Sequence, residues 1–495
     1  MKTNSQTLTN NVHPPDWVNP EPAPRYNMVV IGAGPAGLIA AAGAAGLGAR
    51  VALVEKSLMG GDCLNTGCVP SKAIIRSSRA AHDVHSASEF GILSSTNPEV
   101  DFQVVTDRMK SLQAQISRHD SVHRFHELGV DVFLGEAQFS GPNAVRVDDK
   151  MLYFKKALIA TGGKPVHPPI EGLQKAGFLT NETVFTLTKI PRRLAVVGGG
   201  PVGCELAQAF CRFGSQVTII EVASQLLARE DLESASIIAK MLQKENIDVR
   251  LETKLKKVTS VQRKKLLCLE SAGKETNLEV DEILVGVGRA PNMQSLCLEK
   301  AGVAHASGGI VVNPYLQTSN PKVYAAGDIC MDWKFTHAAE AAAKIVIQNA
   351  LFLGRKKLST LIIPRCTYTN PEVAHVGMCE REAKEKGIKT DVFVKPLEEV
   401  DRGLIDAEVG FVKVLVKKGT DQILGATIVA SHAGEMISEI TLAMVAGVGL
   451  KKLSSVVHPY PTQAEAIKQV GGLYNRTRLT PLVKKLLSTW LAWTR

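Results

Sequence analysis

Short unbroken apolar runs, bounded by glycine, dominate the first half of the chain. Met28-Val-Val-Ile31 leads into Gly32-Ala-Gly34-Pro-Ala-Gly37, an Ala-rich stretch and a second run, Val51-Ala-Leu-Val-Glu55. The pattern recurs at Leu194-Ala-Val-Val197, with Gly198-Gly-Gly200-Pro-Val-Gly203, a helical stretch and Val217-Thr-Ile-Ile-Glu221. Continuous apolar runs of this length predict strands buried on both faces, as in parallel sheets. The longest apolar stretch, Gly37 to Val54, carries Arg50 and many small residues. It predicts a helix followed by a strand, because a membrane span needs ~20 strongly apolar residues.

Each segment therefore reads strand, glycine turn, helix, strand, acid. One G-x-G-x-x-G is weak evidence, but two copies in full βαβ context predict two dinucleotide sites. The first glycine permits the tight turn, the second lets the backbone approach a pyrophosphate, and the third allows helix–strand packing. The pyrophosphate sits on the positive helix N-terminus. Glu55 and Glu221 are placed to accept hydrogen bonds from a ribose diol. Ala160-Thr161-Gly162-Gly163 and Val287-Gly288-Arg289 follow the apolar strands Ala157–Ile159 and Ile283–Val285, where crossovers are expected. From about residue 360 the pattern changes. Strand-like Gly410–Val416 and Gln422–Val429, followed by helical Gly434–Val445, predict a separate α+β domain.

The predicted fold class is α/β, with two Rossmann-like dinucleotide-binding domains and a C-terminal α+β domain. The expected divisions are a flexible tail (1–25), a first nucleotide domain (26–190) and a second (191–280). A return to the first domain (281–355), the α+β domain (356–472) and a basic amphipathic segment (473–495) complete the chain. The tail is polar and proline-rich and has no apolar signal-peptide core.

Composition changes this picture little. Hydrophobic residues make up 45% and charged residues 21% of the 495, which suits a soluble enzyme. The net charge of +10 is concentrated: residues 466–495 hold Lys468, Arg476, Arg478, Lys484, Lys485 and Arg495 and no acid. That argues against a nucleic-acid surface on the body of the protein. Thr480 to Arg495 can form an amphipathic helix with Leu482, Val483, Leu486, Leu487, Trp490 and Leu491 on one face, for docking on the dimer or lying on a membrane surface. His119, His123 and His126 share one face of a predicted helix, read as solvated rather than metal-binding.

Nine cysteines in so long a chain are not a secreted disulfide scaffold. Seven read as isolated thiols. The other two stand in Gly60-Gly-Asp-Cys63-Leu-Asn-Thr-Gly-Cys68-Val-Pro-Ser-Lys72. In a regular helix they would lie ~7.5 Å apart along the axis, too far to bridge. If they meet, the helix must be broken, and Gly67 allows that. A redox pair, a structural disulfide and two free thiols remain open from spacing alone. Zinc is disfavoured, because no second Cys/His pair has ligand spacing.

The Gly60–Lys72 segment resembles the active-site signature of class I pyridine nucleotide–disulfide oxidoreductases, a family that includes dihydrolipoamide dehydrogenase, glutathione reductase and mercuric reductase. The resemblance extends through Ala160-Thr-Gly162, Gly203-Cys-Glu205-Leu-Ala207, Tyr324-Ala-Ala-Gly327-Asp328 and Tyr368-Thr-Asn-Pro371-Glu372-Val-Ala-His-Val-Gly377. It implies a homodimer with FAD on Gly32, Gly34, Gly37, Glu55, Thr161, Gly162, Gly327 and Asp328. It also implies a nicotinamide nucleotide on Gly198, Gly200, Gly203, Glu221 and Gly288. Cys63 would be the interchange thiol and Cys68 the flavin-side thiol, with Lys72 and Glu205 as an ion pair beside the flavin edge. Glu221 would repel a 2′-phosphate, so NADH is expected over NADPH, with Arg229 further along the loop softening the preference. The expected location is cytoplasmic.

His458-Pro-Tyr460-Pro-Thr462-Gln-Ala-Glu465 discriminates among members. Thiol–disulfide members carry His-Pro-Thr-x-x-Glu, with that histidine as acid/base. Here Tyr460 takes its place, as in the Pro-Tyr-x-Thr-x-x-Glu of mercuric reductases. A tyrosine with a pKa near ~10 is a poor proton shuttle at neutral pH, so His458 serving as base, with Glu465, is the competing expectation. No cysteine follows Cys379, where mercuric reductases end in a vicinal pair, and their small N-terminal metal-binding domain is not seen. The expectation is thus a mercuric reductase-like enzyme whose acceptor is Hg(II), another metal, a quinone or a disulfide. The alternatives are a dihydrolipoamide dehydrogenase-type enzyme and an inactive binding relative.

Overall fold

The strand Tyr26–Ile31 is the organising element of the first unit. In the computed structural model, which describes residues 3–93, 99–262 and 264–495, it pairs in parallel with Val51–Glu55 on one side and Lys150–Ile159 on the other. Val130–Leu134 extends the sheet beyond Val51–Glu55, and Val323–Ala325 joins beside Lys150–Ile159, again in parallel. Met28–Ile31, Val51–Glu55 and Ala157–Ile159 are buried without alternation because both faces of the sheet are covered there. Val29, Ile31, Val54, Phe133, Phe154 and Ile159 belong to one buried cluster.

The helix Pro35–Gly46 starts directly after Gly34, with Pro35 in the first turn, where its missing N–H costs nothing. Its small residues let a second helix, Thr336–Leu351, come close, and Ile347 Cδ1 lies 2.8 Å from where a Cβ on Gly43 would stand.

Two expectations for this unit are corrected. Residues 1–25 were expected to be a flexible tail. Instead Asn4–Val12 is a helix with a Thr3–Gln6 capping box, and Val12 is fully buried. Asn19 exchanges two 2.8 Å hydrogen bonds with the backbone of Leu134, and Trp17 Nε1 donates to Val132 O at 3.2 Å. Val130–Leu134 is the sheet's outermost strand. An edge strand presents unpaired backbone groups, and the side chains of the tail satisfy some of them. The His119/His123/His126 face is also broken. The helix starts at Val122 behind a Ser121 cap, which leaves His119 in the preceding turn. Trp17 stands edge-on to His123 and His126 with ring centroids 5.6 and 5.7 Å away.

The chain divides into two units: 1–198, 209–218 and 254–361 in one, and 199–208, 219–253 and 362–495 in the other. In the second, five antiparallel strands run in the order Arg365–Thr367, Glu372–Gly377, Ile423–Ala430, Phe411–Lys417, Thr390–Pro396. Ala433–Val445 and Glu465–Thr477 supply apolar side chains to its core, among them Ile437, Ile440, Ile467 and Val470. Lys413, on a central strand and almost fully buried, contacts Asp231, Glu233 and Glu380 at 2.7–2.9 Å. A buried ammonium is tolerable there only because all three donors find carboxylates.

Candidate active site

The cysteine segment is built as a broken helix. Gly61–Asn65 forms one short turn carrying Cys63, and a new helix, Cys68–His85, begins with Cys68 itself. Gly67, at φ −133° and ψ −111°, makes the break, and a Cβ there would stand 2.8 Å from Asp62 O. The break removes the axial separation that a continuous helix would impose, and it brings the two side chains into contact as thiols. The Cys63 thiol is pushed far above the ordinary range, first because its side chain is hydrogen-bonded to Cys68 and then by burial. Lys72 follows Cys68 by four residues, on the same face of the helix.

Thr336 was missed by sequence reasoning. It opens the helix Thr336–Leu351, and its Oγ1 lies 3.4 Å from Cys68 Sγ. A lone threonine before an Ala-rich helix carries no signal of its own. Asp120 was also missed. Its carboxylate disfavours charge on Cys63, and burial holds its own pKa above the usual carboxylate range.

The first glycine loop makes a cradle that side chains would fill. Gly32 has φ +101°, and a Cβ on it would lie 2.5 Å from Ala160 O. A Cβ on Gly37 would lie 1.8 Å from Gly32 O, whereas one on Gly34 would meet nothing nearer than 4.0 Å. Glu55 is buried and accepts from Ala33 N (2.7 Å) and Ser57 N (2.8 Å), while burial pushes its pKa up. Thr161 Oγ1 donates to Asn292 O at 2.8 Å, and Gly162 has φ +66°. Gly327 and Asp328 follow the strand Val323–Ala325 after Ala326. Arg289, quoted in the sequence only as part of a segment, ties this region together. It donates to Asp328 (3.1 Å), to Gly163 O (2.5 Å) and to Asp62, the neighbour of Cys63. The carbonyl of Gly288 accepts from Val166 N at 3.0 Å.

The second loop repeats the arrangement. Gly198 has φ +109°, and its absent Cβ makes room for Gly286 O. Glu221 accepts from Gly199 N (2.6 Å) and Ala223 N (2.8 Å), and a Cβ on Gly200 would face open space. Gly203 lies inside the helix Pro201–Arg212, as does Glu205, which is buried and accepts from Tyr368 N at 2.8 Å. A cradle with no room for Cβ atoms, an exposed backbone at the middle glycine and a fixed carboxylate at the strand end all suit a dinucleotide. The residues present therefore fit FAD on the first loop and a nicotinamide nucleotide on the second.

A model of the pyridine nucleotide–disulphide oxidoreductase family matches residues 26–343, and that of the family's dimerisation domain matches 363–470. The chain belongs to this family. It is an FAD-dependent, NAD(P)H-using flavoprotein disulfide oxidoreductase, mercuric reductase-like, with the dimerisation domain of a homodimer. The mercuric reductase of Staphylococcus aureus is 35% identical over 445 residues, covering 90% of this chain and 81% of that one. The dihydrolipoyl dehydrogenase of Thermus scotoductus is also 35% identical, over 461 residues, covering 90% and 96%. Among solved structures, the HOCl-induced flavoprotein disulfide reductase RclA of Escherichia coli has a TM-score of 0.81 at 29% identity, covering 90% of this chain and all of that one. Its Cu(II) complex matches with a TM-score of 0.79 at 29% identity, covering 89% and 98%.

In the dimerisation domain His458 and Tyr460 part company. His458 Nε2 is 3.0 Å from Glu439 Oε2, and only 6% of its side chain is exposed. Tyr460 is 70% exposed, and its hydroxyl donates to Asp401 at 2.8 Å, which raises its pKa. Glu465 opens the helix Glu465–Thr477, with Lys468 Nζ 3.8 Å away. Glu439 was not found from sequence, being nineteen residues away on the helix Ala433–Val445 while His458 lies in a loop.

Proposed function

We propose that Cys63 and Cys68 are the redox pair of this oxidoreductase, that NADH is its donor, and that its terminal acceptor is a thiophilic metal ion. The environment of His458 carries the last point. Its ring is buried on Glu439, and the residue standing where thiol–disulfide members have their base is an exposed tyrosine. Reduction of a disulfide substrate needs a group near neutral pKa to protonate the leaving thiolate. A soft cation needs none, since thiolates are its ligands. Mercuric reductases among the relatives, and RclA solved as a Cu(II) complex, support the same reading.

In this reading Gly32, Gly34, Gly37, Glu55, Thr161, Gly162, Gly327 and Asp328 hold FAD. Bound there, FAD supplies two-electron transfer between the nicotinamide and the cysteine pair. Gly198, Gly200, Gly203, Glu221 and Gly288 hold the nucleotide. Lys72 would stand beside a bound flavin, and Cys68, with Thr336 Oγ1 as its partner, would face it. Cys63 keeps its proton until the acceptor arrives, then ligates it. Passing two electrons to the acceptor, one Hg(II) or two Cu(II) ions, re-forms the Cys63–Cys68 bond and releases the two thiol protons. A cytoplasmic location belongs to the same proposal.

The deciding experiment is steady-state turnover with NADH against Hg(II), Cu(II), oxidised lipoamide and a quinone. Metal-dependent NADH oxidation is expected to exceed lipoamide reduction by at least about tenfold, ~1.4 kcal/mol in barrier. His458→Gln is expected to leave the metal rate within about twofold. Efficient lipoamide reduction, lost in His458→Gln, would instead favour the dihydrolipoyl dehydrogenase-type reading.

The donor preference rests on Glu221, whose two oxygens are already held by Gly199 N and Ala223 N. A fixed carboxylate repels a 2′-phosphate. NADH is expected to exceed NADPH in kcat/KM by roughly tenfold or more, and Glu221→Gln to narrow that gap. Equal use of the two by the native enzyme would refute this.

A raised Cys63 pKa means that the neutral thiol is favoured, so its proton leaves only above the ordinary thiol value of ~8.5. In the NADH-reduced enzyme, alkylation of Cys63 by iodoacetamide should therefore keep rising by about one log unit per pH unit through pH 9. A plateau below pH 8, read by peptide mass spectrometry, would contradict that environment.

A further inference from the structure

The segment 480–495 lies outside both family matches, which end at residues 343 and 470. It folds as a well-specified helix. Pro481–Trp493 is capped by the Thr480 side chain, which accepts from Val483 N, and Pro481 stands at the first position. Yet none of its residues is buried. Leu482, Leu486, Trp490 and Leu491 are each about three-fifths exposed or more, and Trp493 is 78% exposed.

At about 100° per residue the side chains sort cleanly. Leu482, Val483, Leu486, Leu487, Trp490, Leu491 and Trp493 occupy one half of the circumference. Lys484, Lys485, Ser488 and Thr489 occupy the other. Trp490 and Trp493 lie side by side, ring centroids 5.5 Å apart. Such a face is left in water only at a cost, so something covers it.

Charge decides what. Residues 466–495 carry six basic residues and no acid. A surface complementary to this segment is anionic and apolar beneath, with an interfacial layer that accommodates indole rings. Thirteen residues rise about 20 Å, short of the ~30 Å hydrocarbon core. No helix among the described residues is long and apolar enough to cross a membrane. The geometry points to a helix that lies in the plane of an anionic lipid bilayer. We propose that Pro481–Trp493 is a monotopic anchor that holds this oxidoreductase on an anionic membrane surface.

Flotation of the flavin-loaded full chain with vesicles tests this, comparing phosphatidylglycerol/phosphatidylcholine mixtures with phosphatidylcholine alone, at low and high salt. The protein is expected to float with the anionic vesicles and to be released by salt. Lys484→Gln/Lys485→Gln should weaken partitioning roughly fivefold per lysine. Leu486→Glu/Trp490→Glu should abolish it, with flavin absorbance and NADH-driven flavin reduction unchanged. Trp490 emission should shift to the blue on adding anionic vesicles and not on adding neutral ones. Failure to float with either vesicle overturns the proposal. So does equal flotation with both that is indifferent to the lysines. If Leu486→Glu/Trp490→Glu lowers the dimer mass by light scattering while the native protein ignores vesicles, the helix covers a second copy of this chain and the proposal falls.

Discussion

Replacing Cys63 with serine is expected to leave NADH-driven flavin reduction intact while acceptor turnover falls on the order of 10³-fold or more. The argument combines geometry with redox chemistry. The broken helix, with Gly61–Asn65 ending before Cys68–His85 begins, brings the thiols into contact. A serine keeps the shape and the hydrogen bond but neither forms a disulfide nor ligates a soft metal as a thiolate. On the proposed assignment the donor half of the cycle resides on the two glycine loops, which the substitution does not touch. Losses of this size are typical when one member of a unit that acts together is removed. Cys68→Ser should stop acceptor turnover equally, and should also remove the sulfur bonded to Thr336 Oγ1. Stopped-flow reduction by NADH, followed by acceptor addition, reads both halves. Persistent turnover in Cys63→Ser would place the chemistry elsewhere, directly at the flavin.

The second large effect is expected at Gly37. An alanine there would put its Cβ 1.8 Å from Gly32 O, a backbone atom of the same loop that cannot move without opening the turn. Overpacking of a rigid site costs typically ~1–3 kcal/mol, and a backbone clash lies at or beyond the upper end. Against a total stability of ~5–15 kcal/mol, that is a large fraction. Gly37→Ala should therefore purify with little flavin and a Tm lowered by several degrees. Gly34→Ala is the informative contrast. Its Cβ would meet nothing nearer than 4.0 Å. The chain should fold with near-native Tm when stripped of flavin, yet bind FAD more weakly, because only a ligand crowds that position. Calorimetry with and without added FAD separates the two. Equal thermal loss in both variants would show that the loop's glycines serve packing alone.

The division between what was legible in the sequence and what was not follows from how far each feature reaches along the chain. Strand, glycine turn, helix, strand and acid lie within about thirty residues of one another. Both dinucleotide loops, with Glu55 and Glu221, could therefore be read directly. The Cys63/Cys68 spacing demanded a helix break, and Gly67 makes it.

Other partners stand hundreds of residues apart or carry no distinctive residue type. Thr336 meets Cys68 across 268 positions, and Arg289 meets Asp62 across 227. The ordering of residues 3–25 depended on an exposed sheet edge whose unpaired carbonyls the side chains of Trp17 and Asn19 could reach. Composition made that tail look free because polar residues suit water as well as an edge.

The sequence alone determined the family, the two glycine turns with their closing carboxylates and the close pair of sulfurs. The tertiary structure alone decided that His458 is engaged on Glu439, that Tyr460 stands exposed on Asp401, and that the last helix is left uncovered. Local order is written in local pattern and turn chemistry. Which group ends up beside which is settled only when distant segments compete for the same buried space and the same hydrogen bonds.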